Sequence, residues 1–390
     1  MRERNESIIA SREVVKRITF PEFMSPELMA QWIESIPQFL LKDLKDPEWP
    51  QTPTCDLNLT RDGYGAISVK DESVNPTGTM KDRPAWEFVK LYADYAFGLF
   101  LRTSGFNEAK AKDFLSKQRI PRFTLITSGN EGAAVATAFE RYGLPPPKIV
   151  VGRMALAQEV KRLSRLRADI YRVDLSKRLD PMLMKVITEN EHGVEITSQS
   201  PHFLPQVVFY DWLVHECFRE QPDDVYVPYG SGRLMENFLT WQSLTLHNGM
   251  NPDPRLGVQG EDPSVIRDMI SCVQRLNVFG AEPSNPDSDA DKLTAPYKPF
   301  LIFREEDIES QATLHRTGAE TAKISVEESY IHGAYEIFQR EGIKAEVSAA
   351  AGLALYMQRC DSVGKKERDR IITRKALIVN TGRGSDIEPS

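Results

Sequence analysis

Between residues 120 and 175 the chain alternates short apolar runs with helical patterns, and few folds accept that order. FTLIT (123–127) reads as a strand and EGAAVATAFERYGL (131–144) as a helix stopping at Gly143. KIVVG (148–152) reads as a strand, ALAQEVKRLSRLRA (155–168) as a helix and DIYRVDL (169–175) as a strand. Gly supplies the left-handed residue that ends helices, and the prolines at 145–147 block continuation. Strands joined through helices pair in parallel, because each crossover returns the chain to the end where it started. A second series follows. DWLVHECFREQ (211–221) reads as a helix, DVYVPYG (224–230) as a strand and LMENFLTWQSL (234–244) as a helix. LNVFGAEP (276–283) reads as a strand, SVEESYIHGAYEIFQREG (325–342) and SAAAGLALYMQRC (348–360) as helices, and KALIVNTG (375–382) as a closing strand. The fold expected is α/β, with two doubly wound domains and parallel sheets. Two stretches rich in Pro, Asp and Asn, about 247–274 and 283–313, read as loop-like insertions. Residues 1–50 carry charge and aromatic anchors and read as a helical extension. Residues 51–83 with 206–390 form the expected large domain, and 84–205 the smaller one.

A chain of 390 residues is long enough for two such domains. Its net charge of −7 argues against a general binder of nucleic acid or anionic bilayers. Nothing approaches the ~18 apolar residues of a membrane span, and the N-terminus lacks the features of a secretory leader. Cys55, Cys217, Cys272 and Cys360 are widely spaced and form no CxxC pair, which points to free thiols and a cytoplasmic setting. The six histidines show no HxH or HxxxH spacing, so no metal site is expected.

Three strands end in glycine-containing turns: TSGNEG (127–132), PYGSGR (228–233) and NTGRG (380–384). In open parallel sheets, ligands sit beyond the carboxyl ends of strands. At PYGSGR, Gly230, Ser231 and Gly232 let backbone N–H groups approach an anion at a helix start, and Arg233 adds a charge. The plain alternative is a tight strand–helix turn. At TSGNEG, Thr127, Ser128 and Asn130 offer hydroxyls and a carboxamide to a carboxylate; the alternative is ordinary helix capping. Thr381 places a hydroxyl past the last strand, where it would suit a neutral ring nitrogen. KRLSRLR (161–167) reads as a solvated basic face, with a site for a second substrate anion as the alternative. A fourth turn, NPTGTMKDR (75–83), frames one lysine, Lys81, with residues that fix a backbone and have no use for a charge. A phosphate cradle, a carboxylate cradle, a hydroxyl and one lysine together match pyridoxal 5'-phosphate. The lysine amine must be neutral to attack the aldehyde.

The segment VKDESVNPTGTMKDR (69–83) resembles the lysine segment of the fold-type II pyridoxal-phosphate enzymes: threonine synthase, cysteine synthase, the serine/threonine dehydratases and tryptophan synthase β. TSGNEGAAVA resembles their substrate loop, VPYGSG their phosphate loop, and IKAEVSAAAGLAL a helix segment. LIVNTGRG resembles the C-terminal turn of threonine synthase. The likeness runs in order from about 52 to 385. It implies that Lys81 holds the cofactor as a Schiff base and shuttles a proton, and that the cofactor lies between the two domains. It implies that Asn130 meets the ring hydroxyl, that Gly230, Ser231, Gly232 and Arg233 hold the phosphate, and that Thr381 faces the pyridine nitrogen. Thr127, Ser128 and Asn130 would take the substrate carboxylate. Glu131 departs from the family pattern. It either stabilises its own helix or meets the substrate, where it would repel a second anion. The expected activity is β- or γ-elimination or replacement on a small L-amino acid, threonine-synthase-like, in a homodimer. Cysteine-synthase-like replacement, a dehydratase (ammonia-lyase), and a non-catalytic relative that binds cofactor remain as alternatives.

Overall fold

The structure is a computed structural model of the 390-residue chain. It describes residues 51–89, 92, 122–127, 129–153, 157–174, 181–188, 194–195, 210–247, 263–294 and 319–384. The expected extension 1–50, residues 295–313 of the second expected insertion and Ser128 lie outside the described residues. The chain divides into two compact units, one holding 84–174 and 178–197, the other 49–83 and 198–390.

In the first unit, strands β3 (Phe123–Ile126), β4 (Lys148–Gly152), β5 (Asp169–Val173) and β6 (Val194–Glu195) form a parallel sheet in the order β5-β4-β3-β6. All four residues of β3 are buried, as a strand covered on both faces requires. The helix Asn130–Arg141 buries Ala133, Ala134, Val135, Ala136 and Phe139. Phe139 joins Tyr92 and Phe123 in an aromatic cluster with ring centroids 5.0–6.0 Å apart, a spacing that suits tilted and edge-to-face contacts.

The second unit is built on six strands in the order β1-β2-β10-β7-β8-β9. They are β1 (Thr54–Asn58), β2 (Ala66–Asp71), β7 (Asp224–Pro228), β8 (Asn277–Pro283), β9 (Thr321–Val326) and β10 (Ala376–Asn380). Only the β1–β2 pair is antiparallel; the rest run parallel. Central β10 is buried throughout. Full burial of each of Leu377, Ile378 and Val379 contributes roughly 1.5–3 kcal/mol relative to exposure. Helices Glu328–Arg340 and Ala351–Asp361 cover one core around Tyr226, Phe279, Leu353 and Ile378. No described helix is long and apolar enough to cross a membrane.

Two expectations are corrected. The stretch 247–274 is not wholly a loop, because Pro263–Arg275 is a helix. Pro263 stands at its first position, where the missing N–H costs nothing. Its apolar residues Val265, Ile266, Met269, Ile270 and Val273 recur at helical spacing, a pattern masked by the polar residues before it. The helix expected over 325–342 starts only at Glu328, because Ser325 and Val326 close the edge strand β9 (Thr321–Val326). It is mostly half-exposed, so no continuous apolar run announces it.

Gly352 shows how closely the layers approach. A Cβ there would stand 2.8 Å from the Tyr226 carbonyl oxygen on β7. Gly352→Ala is therefore expected to push helix Ala351–Asp361 off the sheet and to destabilise the protein by about 1–3 kcal/mol. Denaturant unfolding checks this, and an unchanged midpoint would show that the helix shifts freely.

Candidate active site

Lys81 stands where the chain passes from strand to helix. After β2, a 3-10 turn Glu72–Val74 is held by Ser73 N–H donating to Asp71 Oδ1 at 3.0 Å. Gly78 N–H then donates to the Asn75 carbonyl at 2.7 Å, and Gly78 takes a positive φ of 82°. That angle strains any residue with a Cβ. Asp82 accepts from both the Thr77 N–H (2.8 Å) and the Thr77 hydroxyl (2.9 Å). Thr79 Oγ1 accepts from the Lys81 N–H at 3.2 Å. Residues 82–89 continue as a helix. The turn thus uses each of its small and polar residues to fix one lysine backbone.

The Thr381 turn is stitched directly to it. Met80 N–H donates to the Thr381 carbonyl (2.9 Å), and Arg383 N–H to the Gly78 carbonyl (2.9 Å). Thr79 and Gly382 form an antiparallel bridge. A Cβ on Gly382 would lie 2.4 Å from the Gly78 carbonyl oxygen, so only glycine permits this approach. Thr381 is buried, and none of the described residues takes a hydrogen bond from its hydroxyl.

Below the turn lies a buried set of four charges. Arg83 grips Glu216 with two bonds of 2.8 and 2.9 Å and Glu72 with two of 3.0 Å. Lys70 pairs with Glu216 at 2.8 Å and donates to the Thr52 carbonyl. The Thr52 hydroxyl and the Asn75 amide also reach Glu72. All four charged residues are at most 6% exposed. Two cations and two anions balance, as burial demands. Burial pushes the Glu216 carboxyl up, but the hydrogen bonds and charge of Arg83, with Lys70, outweigh it and hold Glu216 below the usual range. Burial works against the Arg83 cation, and Glu72 and Glu216 more than restore it. Asp82 and Arg83 therefore serve different partners, Thr77 and the two glutamates.

Tyr210 carries no signal that sequence reading could find. Its hydroxyl receives a hydrogen bond from Lys81 Nζ at 2.8 Å, and the amine lies 5.5 Å from its ring centroid. Tyr210 precedes the helix Asp211–Arg219, which also carries Glu216.

Gly230, Ser231 and Gly232 connect β7 to the helix Arg233–His247. Gly232 has a φ of 81°, and a Cβ on Gly230 would press on the Lys292 carbonyl oxygen at 3.1 Å. The loop stays glycine-bare at a helix start, a cradle that side chains would fill. Arg233 spends charge on Glu236 at 3.3 Å within that first turn.

In the first unit, Thr127 and Asn130 are buried and Glu131 is half-buried. Thr127 Oγ1 accepts from Gly129 N–H at 3.1 Å. The helix begins on Gly129 without a side-chain cap, and Glu131 lies in its first turn. A Cβ on Gly132 would collide with Thr127 and Ile149 side chains. Elsewhere, Asp289, Glu328 and His332 bring ligand-type atoms within 4.8 Å of one another, a cluster that histidine spacing does not announce. Asp289 and His332 are exposed, with His332 Nε2 3.4 Å from Asp289 and 3.5 Å from Glu328.

A mostly parallel α/β sheet with one lysine turn, an open hydroxyl beside it and a glycine cradle at a helix start defines a fold-type II cofactor enzyme. The model of the family described as pyridoxal-phosphate dependent enzyme matches residues 46–374, and the chain belongs to that family. Its cofactor is pyridoxal 5'-phosphate, and the residues of the second unit fit it. Similar solved structures share the fold at low identity. Serine racemase from Dictyostelium discoideum is 16% identical with a TM-score of 0.53, covering 92% of this chain and 98% of that one. Diaminopropionate ammonia lyase from Escherichia coli is 16% identical with a TM-score of 0.55, covering 94% and 92%. The O-acetylserine dependent cystathionine beta-synthase from Helicobacter pylori is 14% identical with a TM-score of 0.54, covering 87% and 95%. No curated protein sequence matches the chain.

Proposed function

We propose that the protein catalyses β- or γ-elimination or replacement on a small L-amino acid, in the manner of threonine synthase. The observation that carries this is the Thr381 hydroxyl, held beside the Lys81 turn by the Met80–Thr381 hydrogen bond. A neutral hydroxyl leaves a pyridine nitrogen unprotonated, which suits elimination more than transamination. When bound, pyridoxal phosphate supplies the electron sink for charge that develops at Cα. Lys81 holds the cofactor and moves the Cα proton. The N–H groups of Gly230, Ser231 and Gly232, with Arg233, take the phosphate. Asn130 meets the ring hydroxyl, and Thr127, Ser128 and Asn130 bind the substrate carboxylate. Glu131 meets the substrate's distal group and disfavours a second anion there. Four unpaired cysteines support a cytoplasmic protein, and a homodimer is the expected form.

The test is spectroscopic. The purified protein is titrated with L-serine, L-threonine, O-acetyl-L-serine and O-phospho-L-homoserine while cofactor absorption and released product are followed. A substrate of this class changes the spectrum on mixing and yields a keto acid or a replaced amino acid. Silence across the panel overturns the reading in favour of a non-catalytic relative. In Glu131→Thr the phosphorylated member is expected to rise in the ranking; an unchanged ranking makes Glu131 a helix-start residue only.

A further inference from the structure

We propose that Tyr210 is a second acid–base residue of this active site, exchanging protons directly with Lys81 Nζ. The proposal rests on the reading of Lys81 as the cofactor-holding lysine and extends it. The contact is direct, at 2.8 Å between Nζ and the phenolic oxygen. Tyr210 is only 2% exposed and Lys81 is half-buried, so the phenol is held by packing beside the amine. Chemistry then limits what a partner of this lysine must do. Lys81 cycles between ammonium, which only donates, and amine, which offers a lone pair. A phenol accepts from the first and donates to the second. A carboxylate in the same place would hold the ammonium and suppress the nucleophile.

The hydroxyl is also held on a rigid support. Tyr210 makes no side-chain cap of its own helix. That helix is pinned to the lysine turn a second time through Glu216 and Arg83. Its first residue, Asp211, accepts from Asn237 (2.9 Å) and Trp241 (3.1 Å). Both donors lie on the helix that opens at the Gly230–Gly232 turn. The amine, the phenol and the glycine cradle are therefore fixed to one another through named bonds.

When Lys81 captures an aldehyde, a carbon–nitrogen bond forms and the two nitrogen-bound protons pass to the carbonyl oxygen, which leaves as water. Tyr210 takes a proton from the nitrogen and gives its own hydroxyl proton toward that oxygen. The side chain begins and ends neutral, and nothing is oxidised.

The experiment uses full-length, cofactor-free wild type and Tyr210→Phe. Each is mixed with pyridoxal 5'-phosphate, quenched with borohydride at timed intervals and mapped for label at Lys81. Binding of pyridoxine 5'-phosphate, which lacks the aldehyde, is measured in parallel. General acid–base assistance is worth roughly 10²–10⁴-fold, so labelling in Tyr210→Phe is expected to slow at least about tenfold while pyridoxine 5'-phosphate binds as before. Equal labelling rates overturn the role of Tyr210 and leave Lys81 in place. Parallel loss of pyridoxine 5'-phosphate binding overturns it too, since Tyr210 is then structural. Absence of label at Lys81 in wild type overturns both readings. If Tyr210→Phe does not fold, 3-fluorotyrosine at position 210 keeps the ring and makes the phenol more acidic. The labelling rate must then change, and an unchanged rate overturns the proposal.

Discussion

Lys81→Ala is expected to fold and to lose both covalent cofactor and turnover. The expected fall in activity is at least about 10³-fold, within the range of a removed acid–base group. The expected cost in stability is small. The side chain gives up a hydrogen bond to Tyr210, worth roughly 0.5–1.5 kcal/mol. Borohydride reduction of cofactor-loaded protein, followed by digestion and peptide mapping, checks the assignment. The label falls on Lys81 in wild type and nowhere in the variant. Lys70, a second lysine near this turn among the described residues, is a useful contrast. It is buried and committed to Glu216 and the Thr52 carbonyl, so it cannot stand in. Label on any other lysine in wild type would remove Lys81 from the centre of the site.

Arg83→Met is expected to be the most damaging substitution for stability. Among the described residues it leaves Glu72 and Glu216 buried with Lys70 alone to balance them. Breaking a buried pair from one side typically costs about 3–5 kcal/mol, because the remaining charge has lost its compensation. The pH dependence supplies a second readout. Glu216 is held below its ordinary value of 4.5. Its stabilisation is complete above that value, declines as pH falls below it, and is gone once pH has passed its folded-state value. Denaturant unfolding between pH 3 and 7 should therefore show wild type losing stability on the acid side of about 4.5. In Arg83→Met the acid loss is expected to shrink together with the overall stability. A variant as stable as wild type at pH 7 would mean that Glu72 and Glu216 find other partners or take up protons without cost.

Much of this was legible because its physics is local. The strand–helix alternation rests on periodicity, and β3, β4, β5, β7, β8 and β10 fall where their apolar runs lie. The lysine turn is legible for the same reason, since Asn75, Pro76, Gly78 and Asp82 act on neighbours within seven residues. What could not be read is set by distance along the chain. Tyr210 is 129 positions from the lysine it touches, and Glu216 is 133 from Arg83. Neither contact has a periodic signature. Edge strand β9 was hidden by its half-exposed, mixed composition. Helix Pro263–Arg275 was hidden by a polar, proline-rich approach that resembles a loop.

The pairing of β2 with β10 has a consequence for how the protein is made. Asp71 and Asn380 face each other in that ladder and share a hydrogen bond across 309 residues. A ribosome adding roughly 5–20 residues per second needs about a quarter of a minute to a minute to travel that far. Throughout that interval the lysine turn exists without the strand that stitches it. The first half of the chain must wait with β2 exposed on its open side, where a stray strand from another nascent chain could dock. The partners that hold Gly78, Thr79 and Met80 in place, Thr381 to Arg383, have not yet been synthesised in that interval. The molecule thus becomes competent late and all at once, and its yield in a cell depends on protecting one strand edge during synthesis.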